Sequence, residues 1–103
     1  MFNNNKANPN PVKFASNVSV GTKGAIGEYA VCVDLLRQGW EVFKAVSPSC
    51  SCDLIIQNKD GAKRVEVRTG RTNLYGTVNT VRKHKADVLA IVLRDKIVYE
   101  PPL

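Results

Sequence analysis

Leu54-Ile55-Ile56-Gln57 is an apolar run dominated by β-branched side chains. Asn58-Lys59-Asp60-Gly61 follows as a cluster of turn formers, and Val65-Glu66-Val67-Arg68 then alternates apolar with polar. Alternation at every second residue is the period of a half-buried strand, and a turn cluster between two such runs marks a hairpin. With Asn58 to Gly61 as the loop, Gln57 pairs with Ala62, and the same register sets Asp53 directly opposite Glu66. Residues opposite one another on antiparallel strands share a face, with Cβ atoms about 5 Å apart. Two carboxylates that close repel, so such a site raises the pKa of one or holds a cation between them. Arg68, two residues past Glu66, falls on the same face. Taken singly, each of these residues reads as part of a solvated strand face with a surface ion pair.

The hairpin sits in a regular order of elements. Residues 1–18 are rich in Asn, with Pro9 and Pro11, and read as a flexible arm ahead of one domain over 19–103. A helix is expected from about Lys23 to Gln38, with Thr22 as N-cap and Gly39 as the stop. Placed at 100° per residue, Lys23, Gly27, Asp34, Arg37 and Gln38 gather as a polar face. Ala25, Ile26, Tyr29, Val31, Cys32, Val33, Leu35 and Leu36 fill the opposite, core-facing arc. Glu28 falls inside that apolar arc, where a carboxylate is costly unless paired, protonated or bound to metal. The bland alternative is a Glu at the edge of the face, turned outward or paired with a core Arg. Trp40 to Val46 alternates and reads as a strand, Ser47 to Ser51 as a loop, and Cys52–Gln57 with Ala62–Thr69 as the hairpin strands. Thr69 to Asn73 and Tyr75-Gly76 read as loop and turn, and Thr77 to Lys85 fits helix, strand or crossover equally. Ala86 to Leu93 is an apolar strand, Arg94-Asp95 a tight turn, and Lys96 to Glu100 a short edge strand ended by Pro101.

Charge changes the picture more than composition does. The 103 residues carry a net +6, and Lys63 to Lys85 alone holds seven basic residues against Glu66, while the remainder has eight of each sign. A local basic excess is the electrostatic footprint of a polyanion, most often nucleic acid; its bland counterpart is a soluble face. Arg71, Arg82, Lys83 and Lys85 are expected to meet phosphates with little base selectivity, with Lys23 and Arg64 added from the helix start and the hairpin. An RNA-stacking module around Tyr75 is poorly supported, because few aromatics lie among the bases. No apolar run approaches the roughly 20 residues of a membrane span, and the Asn-rich start lacks a signal-peptide core, so a cytoplasmic or nucleic-acid-associated location is expected rather than secretion. The odd cysteine count (Cys32, Cys50 and Cys52) argues against a disulfide framework. Neither the Cys50-Ser51-Cys52 spacing nor the single His84 suits a zinc site, and the thiols are expected as small reduced core residues.

Gly24-Ala25-Ile26-Gly27-Glu28 in a first helix, then Asp53, then Glu66-Val67-Arg68 followed by Thr69-Gly70-Arg71, resembles the PD-(D/E)xK nuclease superfamily, in particular its small resolvase-like and homing-endonuclease-like branches. The resemblance spans about Lys23 to Leu93 and implies an α/β, restriction-endonuclease-like core: an N-terminal helix, an antiparallel β-meander, a crossover, and further strands completing a mixed sheet. It implies a metal-dependent DNA endonuclease with Mg²⁺ or Mn²⁺ on Asp53, Glu66 and the main-chain carbonyl of Val67, with Glu28 as an outer or second-metal ligand. Hard divalent cations prefer such oxygen donors. Arg68 stands where the family has Lys; it stays charged, so it can stabilise a phosphate but not act as a base. So small a domain is expected to work as a homodimer or higher homo-oligomer. The competing reading is a nuclease-like fold that has lost catalysis and binds nucleic acid through its basic stretch.

Overall fold

The computed structural model describes residues 14–72, 78–79 and 84–103, with only the backbone at 71, 72, 78 and 79. Helix α1 spans Val20–Arg37. It is followed by β1 (Glu41–Lys44), β2 (Leu54–Asn58), β3 (Gly61–Thr69), β4 (Arg71–Thr72), β5 (Val78–Asn79), β6 (Val88–Val92) and β7 (Ile97–Glu100). Five strands form one sheet in the order β1-β2-β3-β6-β7, and β4 with β5 makes a separate two-stranded ribbon. The first three strands are an antiparallel meander, β3 and β6 run parallel, and β7 returns antiparallel at the edge. This is the α/β architecture with a mixed sheet that the family resemblance implies. Thr69 ends β3, as the hairpin reading has it, and the ribbon is the departure: Arg71–Thr72 forms β4 where loop was expected.

The hairpin has the expected register, Gln57 against Ala62, and it extends one pair further to Asn58 against Gly61. The loop is therefore Lys59-Asp60 alone. Asn58 accepts a 2.8 Å hydrogen bond from the Asp60 amide on its side chain, and Gly61 takes φ 137°, a conformation that side chains oppose.

Helix α1 begins three residues earlier than the Gly-rich start suggests. Ser19, not Thr22, is the N-cap: its backbone is extended, its side-chain oxygen accepts the Thr22 amide at 3.2 Å, and its hydroxyl also donates to Thr22 Oγ1 at 3.0 Å. Gly39 ends the helix at φ 90°, as its position predicts. The face that packs on the sheet is narrower than the expected arc. It is a stripe of Gly27, Val31 and Leu35, all buried, whereas Tyr29, Val33 and Leu36 are exposed. The helical angle places Gly27 among Lys23, Asp34 and Gln38 on the polar face, yet it is buried, and a Cβ there would lie 3.8 Å from Val92 of β6. Val31 and Leu35 meet Leu54, Ile56, Val65, Val88, Ala90 and Val92 in the main core. Full burial of a side chain of this size contributes about 1.5–3 kcal/mol.

On the other side of the sheet Leu89, Ile91 and Leu93 form a second buried cluster with Val98 against it. Tyr99, on the helix side of β7, donates its hydroxyl to Asp34; burial, then that bond, holds its phenol well above the usual range. The three thiols are free; Cys32 packs half-buried against the main core as expected, whereas Cys50 is exposed and Cys52 is half-buried without joining that core. Burial raises the Cys32 thiol, which keeps it protonated. No helix among the described residues is long and apolar enough to cross a membrane.

Candidate functional site where β2 leaves β3

The β2–β3 ladder stops at Leu54 opposite Val65. Asp53 therefore lies just outside β2 and is not the simple ladder partner of Glu66 that uninterrupted pairing would make it. Its amide donates to the Val65 carbonyl at 3.1 Å, and its carboxylate accepts the Val67 amide at 2.8 Å. The side chain thus replaces the strand that has turned away, because a central strand cannot leave an amide unmatched without cost.

The orientation of β3 follows from its bonds. The Arg64 carbonyl accepts from Asp87 and the Gly70 amide donates to Val92, so even-numbered residues direct their backbone groups to β6. Odd-numbered residues direct theirs to the β2 side, as Val65 does towards Asp53. The carbonyl of Val67 thus points to the same open side as its amide, next to the Asp53 carboxylate. One residue earlier, Glu66 projects from the face opposite α1, where its parallel partner is Leu89. Its side chain is 19% exposed and is ion-paired with Arg68. Asp53, Glu66, Val67 and Arg68 therefore occupy one short stretch of β3 and the position just ahead of β2.

The remaining candidate residues are placed elsewhere or otherwise engaged. Glu28 reaches Lys44 of β1 at 3.0 Å. That bond raises the Lys44 pKa, and no ion pair or hydrogen bond of Glu28 runs to Asp53 or Glu66 among the described residues. Glu28 is thus paired at the edge of the helix face, as the bland reading has it, but its partner is the part-exposed Lys44 of β1 and not a core Arg. Arg64 is held by Asp87 through a 2.8 Å bond from its amide and a 3.3 Å ion pair from its guanidinium. Those two contacts, the amide first, lower the Asp87 carboxyl below its ordinary range. Asp87, two residues past the basic stretch, is a partner that sequence position alone did not assign; its spacing just ahead of β6, parallel to β3, was the available signal. Lys23 lies over the Phe14 ring at 4.9 Å. Lys85 is exposed, Arg71 is described only by its backbone in β4, and Arg82 and Lys83 lie outside the described residues. Among the described residues no group of three or more His, Cys, Asp or Glu side chains gathers as a metal cage. The donor set at the fork is smaller and all oxygen: two carboxylates on neighbouring strands and one main-chain carbonyl.

Neither the models of protein families nor the curated proteins contain a match to this chain. Among solved structures it resembles a bacterial homing endonuclease, I-Ssp6803I, with a TM-score of 0.61 over 80% of this chain and 68% of that one, at 20% sequence identity. The two share a nuclease-like fold.

Proposed function

We propose that the chain is a metal-dependent DNA endonuclease of PD-(D/E)xK type, with Arg68 in the place of the usual lysine. The observation that supports this reading is the fork itself: the Asp53 carboxylate accepts the Val67 amide, Glu66 is the neighbouring residue of β3, and the fold is shared with a homing endonuclease. An all-oxygen donor set suits Mg²⁺ or Mn²⁺ and not a soft metal. Asp53, Glu66 and Val67 would hold the ion, which supplies an activated water and neutralises charge on the scissile phosphate. The chain's own contribution is positioning. The Val67 amide fixes the Asp53 carboxylate, and Arg68 sets the Glu66 carboxylate while keeping donors for a phosphate oxygen. Arg68 remains a cation throughout, so it stabilises charge and takes no proton. Glu28, bound to Lys44, would act from outside the metal shell. Arg71, Arg82, Lys83 and Lys85 would hold the DNA backbone. A single site cuts one strand, so a double-strand break calls for a second copy.

The test is nicking of supercoiled plasmid and of a branched DNA in Mg²⁺ and in Mn²⁺, with Glu66→Ala alongside. Metal-dependent cleavage by the native chain that falls at least a hundredfold in Glu66→Ala is the expected outcome. Intact DNA binding with no cleavage in either metal would overturn it in favour of the binding-only reading. Cleavage gained by Arg68→Lys would then locate the lost activity at that residue.

A further inference from the structure

Helix α1 carries two apolar stripes, and the sheet uses only one. Gly27, Val31 and Leu35 face the core. On the opposite side Thr22, Ile26, Tyr29, Val33 and Leu36 recur at alternating steps of four and three. Tyr29, Val33 and Leu36 are 59%, 45% and 57% exposed, although Lys44 lies 5.1 Å from the Tyr29 ring centroid. The solvent side of a helix is ordinarily polar. A repeat averaging 3.5 residues instead keeps one seam turned towards a second helix along its whole length, and β-branched side chains such as Ile26 and Val33 at one seam position suit a two-helix pair. Ala25 and Ala30 flank the seam with small side chains, and Ile97 of β7 closes a groove beside it.

We propose that this face binds helix α1 of a second copy of the chain in a two-fold pair. The proposal takes the assembly half of the functional reading and gives it a surface. Charge favours a second copy as the occupant. Two molecules each bearing +6 repel, yet α1 contains two basic residues (Lys23 and Arg37) and two acidic ones (Glu28 and Asp34), so the whole excess lies outside it. A neutral apolar seam offers no charge pattern to select a different partner, whereas a two-fold contact needs only that a patch complement itself. The seam is also close to symmetric about Tyr29, with Thr22 and Leu36 equally distant from it and Ile26 and Val33 nearly so.

The test is sedimentation equilibrium of the full chain without DNA or metal, so that a failure here is separate from a failure of the cleavage reading. At about 100 µM, where a micromolar Kd leaves mostly dimer, the native chain should sediment at twice its own mass. Val33→Asp should weaken association at least tenfold with the helical circular dichroism kept, and Phe43→Ser, on an exposed strand position away from α1, should leave it unchanged. A native monomer at that concentration, or a dimer undiminished in folded Val33→Asp, overturns the proposal. Should Val33→Asp unfold, the decision passes to Tyr29→Cys in a chain with Cys32, Cys50 and Cys52 replaced by Ser. Oxidation should link it into covalent dimers while Phe43→Cys stays single, and equal linking of both also overturns the proposal.

Discussion

Strands β3 and β6 lie side by side, parallel and in register, yet on the face away from α1 they carry opposite kinds of residue. β6 places Leu89 and Ile91 there, both buried, and all five of its residues are buried. β3 places Glu66 and Arg68 at the partner positions. On the helix face the same strands agree, with Val65 and Val67 beside Val88 and Ala90. A continuous apolar run is what a strand covered on both faces requires. β3 instead leaves the Glu66–Arg68 ion pair next to that apolar surface, where ionised groups are costly to hold. The difference teaches that β6 is built for stability, and that the charges of β3 are kept at some expense to it.

That contrast can be broken in order of size. Ile91→Ala should lose about 2–5 kcal/mol in urea unfolding, since it deletes fully buried methyl groups and leaves a cavity. A loss well under about 1 kcal/mol would mean that β6 is not the better-packed strand. Asp53→Ala should cost about 1–2 kcal/mol by stranding the Val67 amide, and hydrogen exchange at that single amide should quicken. Unchanged exchange there would remove Asp53 as the cap of the fork. Glu66→Leu should lie within about 1 kcal/mol of the native stability, or above it, because an apolar side chain beside Leu89 replaces a half-buried ion pair. A large destabilisation would make Glu66 a structural residue and weaken the comparison.

The smallest effect concerns acid. The Asp87 carboxyl is depressed in the folded chain, so its contribution to stability is present above the ordinary carboxylate range and is lost as pH falls through the lowered folded value. Asp87→Asn should flatten that part of the acid limb and leave unfolding above pH about 5 nearly pH-independent as before. An acid limb identical to the native one would show that the bond to Arg64 does not persist in solution.

The hairpin was legible because two local signals agree in it. Turn chemistry at Asn58–Gly61 and alternation through Val65–Arg68 specify one register, and that register brings Asp53 and Glu66 into the same neighbourhood. The buried stripe of α1 was legible only in part. Val31 and Leu35 lie in the expected arc, but the helical angle groups Gly27 with polar residues, and the outward seam of Tyr29, Val33 and Leu36 has the same periodicity signature as a core face. Glu28 illustrates the limit for the site. Its position on the helix is local information, but the Lys44 that holds it comes from another element, and only the packing of α1 against β1 brings the two together. The end of the ladder at Leu54 was hidden for a related reason: nothing in Cys52-Asp53-Leu54 marks where pairing stops, because the signal is a side chain standing in for a strand.

The Ala45 amide donates to the Asp53 carbonyl at 2.9 Å, which closes the segment from Val46 to Cys52 at its base. Val46 is fully exposed and Cys50 is open to solvent. The segment is therefore a tethered loop whose two ends are anchored independently of its length. Doubling it costs only roughly 0.6 kcal/mol in closure entropy. Descendants of this chain could lengthen or rewrite the loop beside the fork without disturbing the strands that hold Asp53, and so vary what the loop reaches while inheriting the same chemistry.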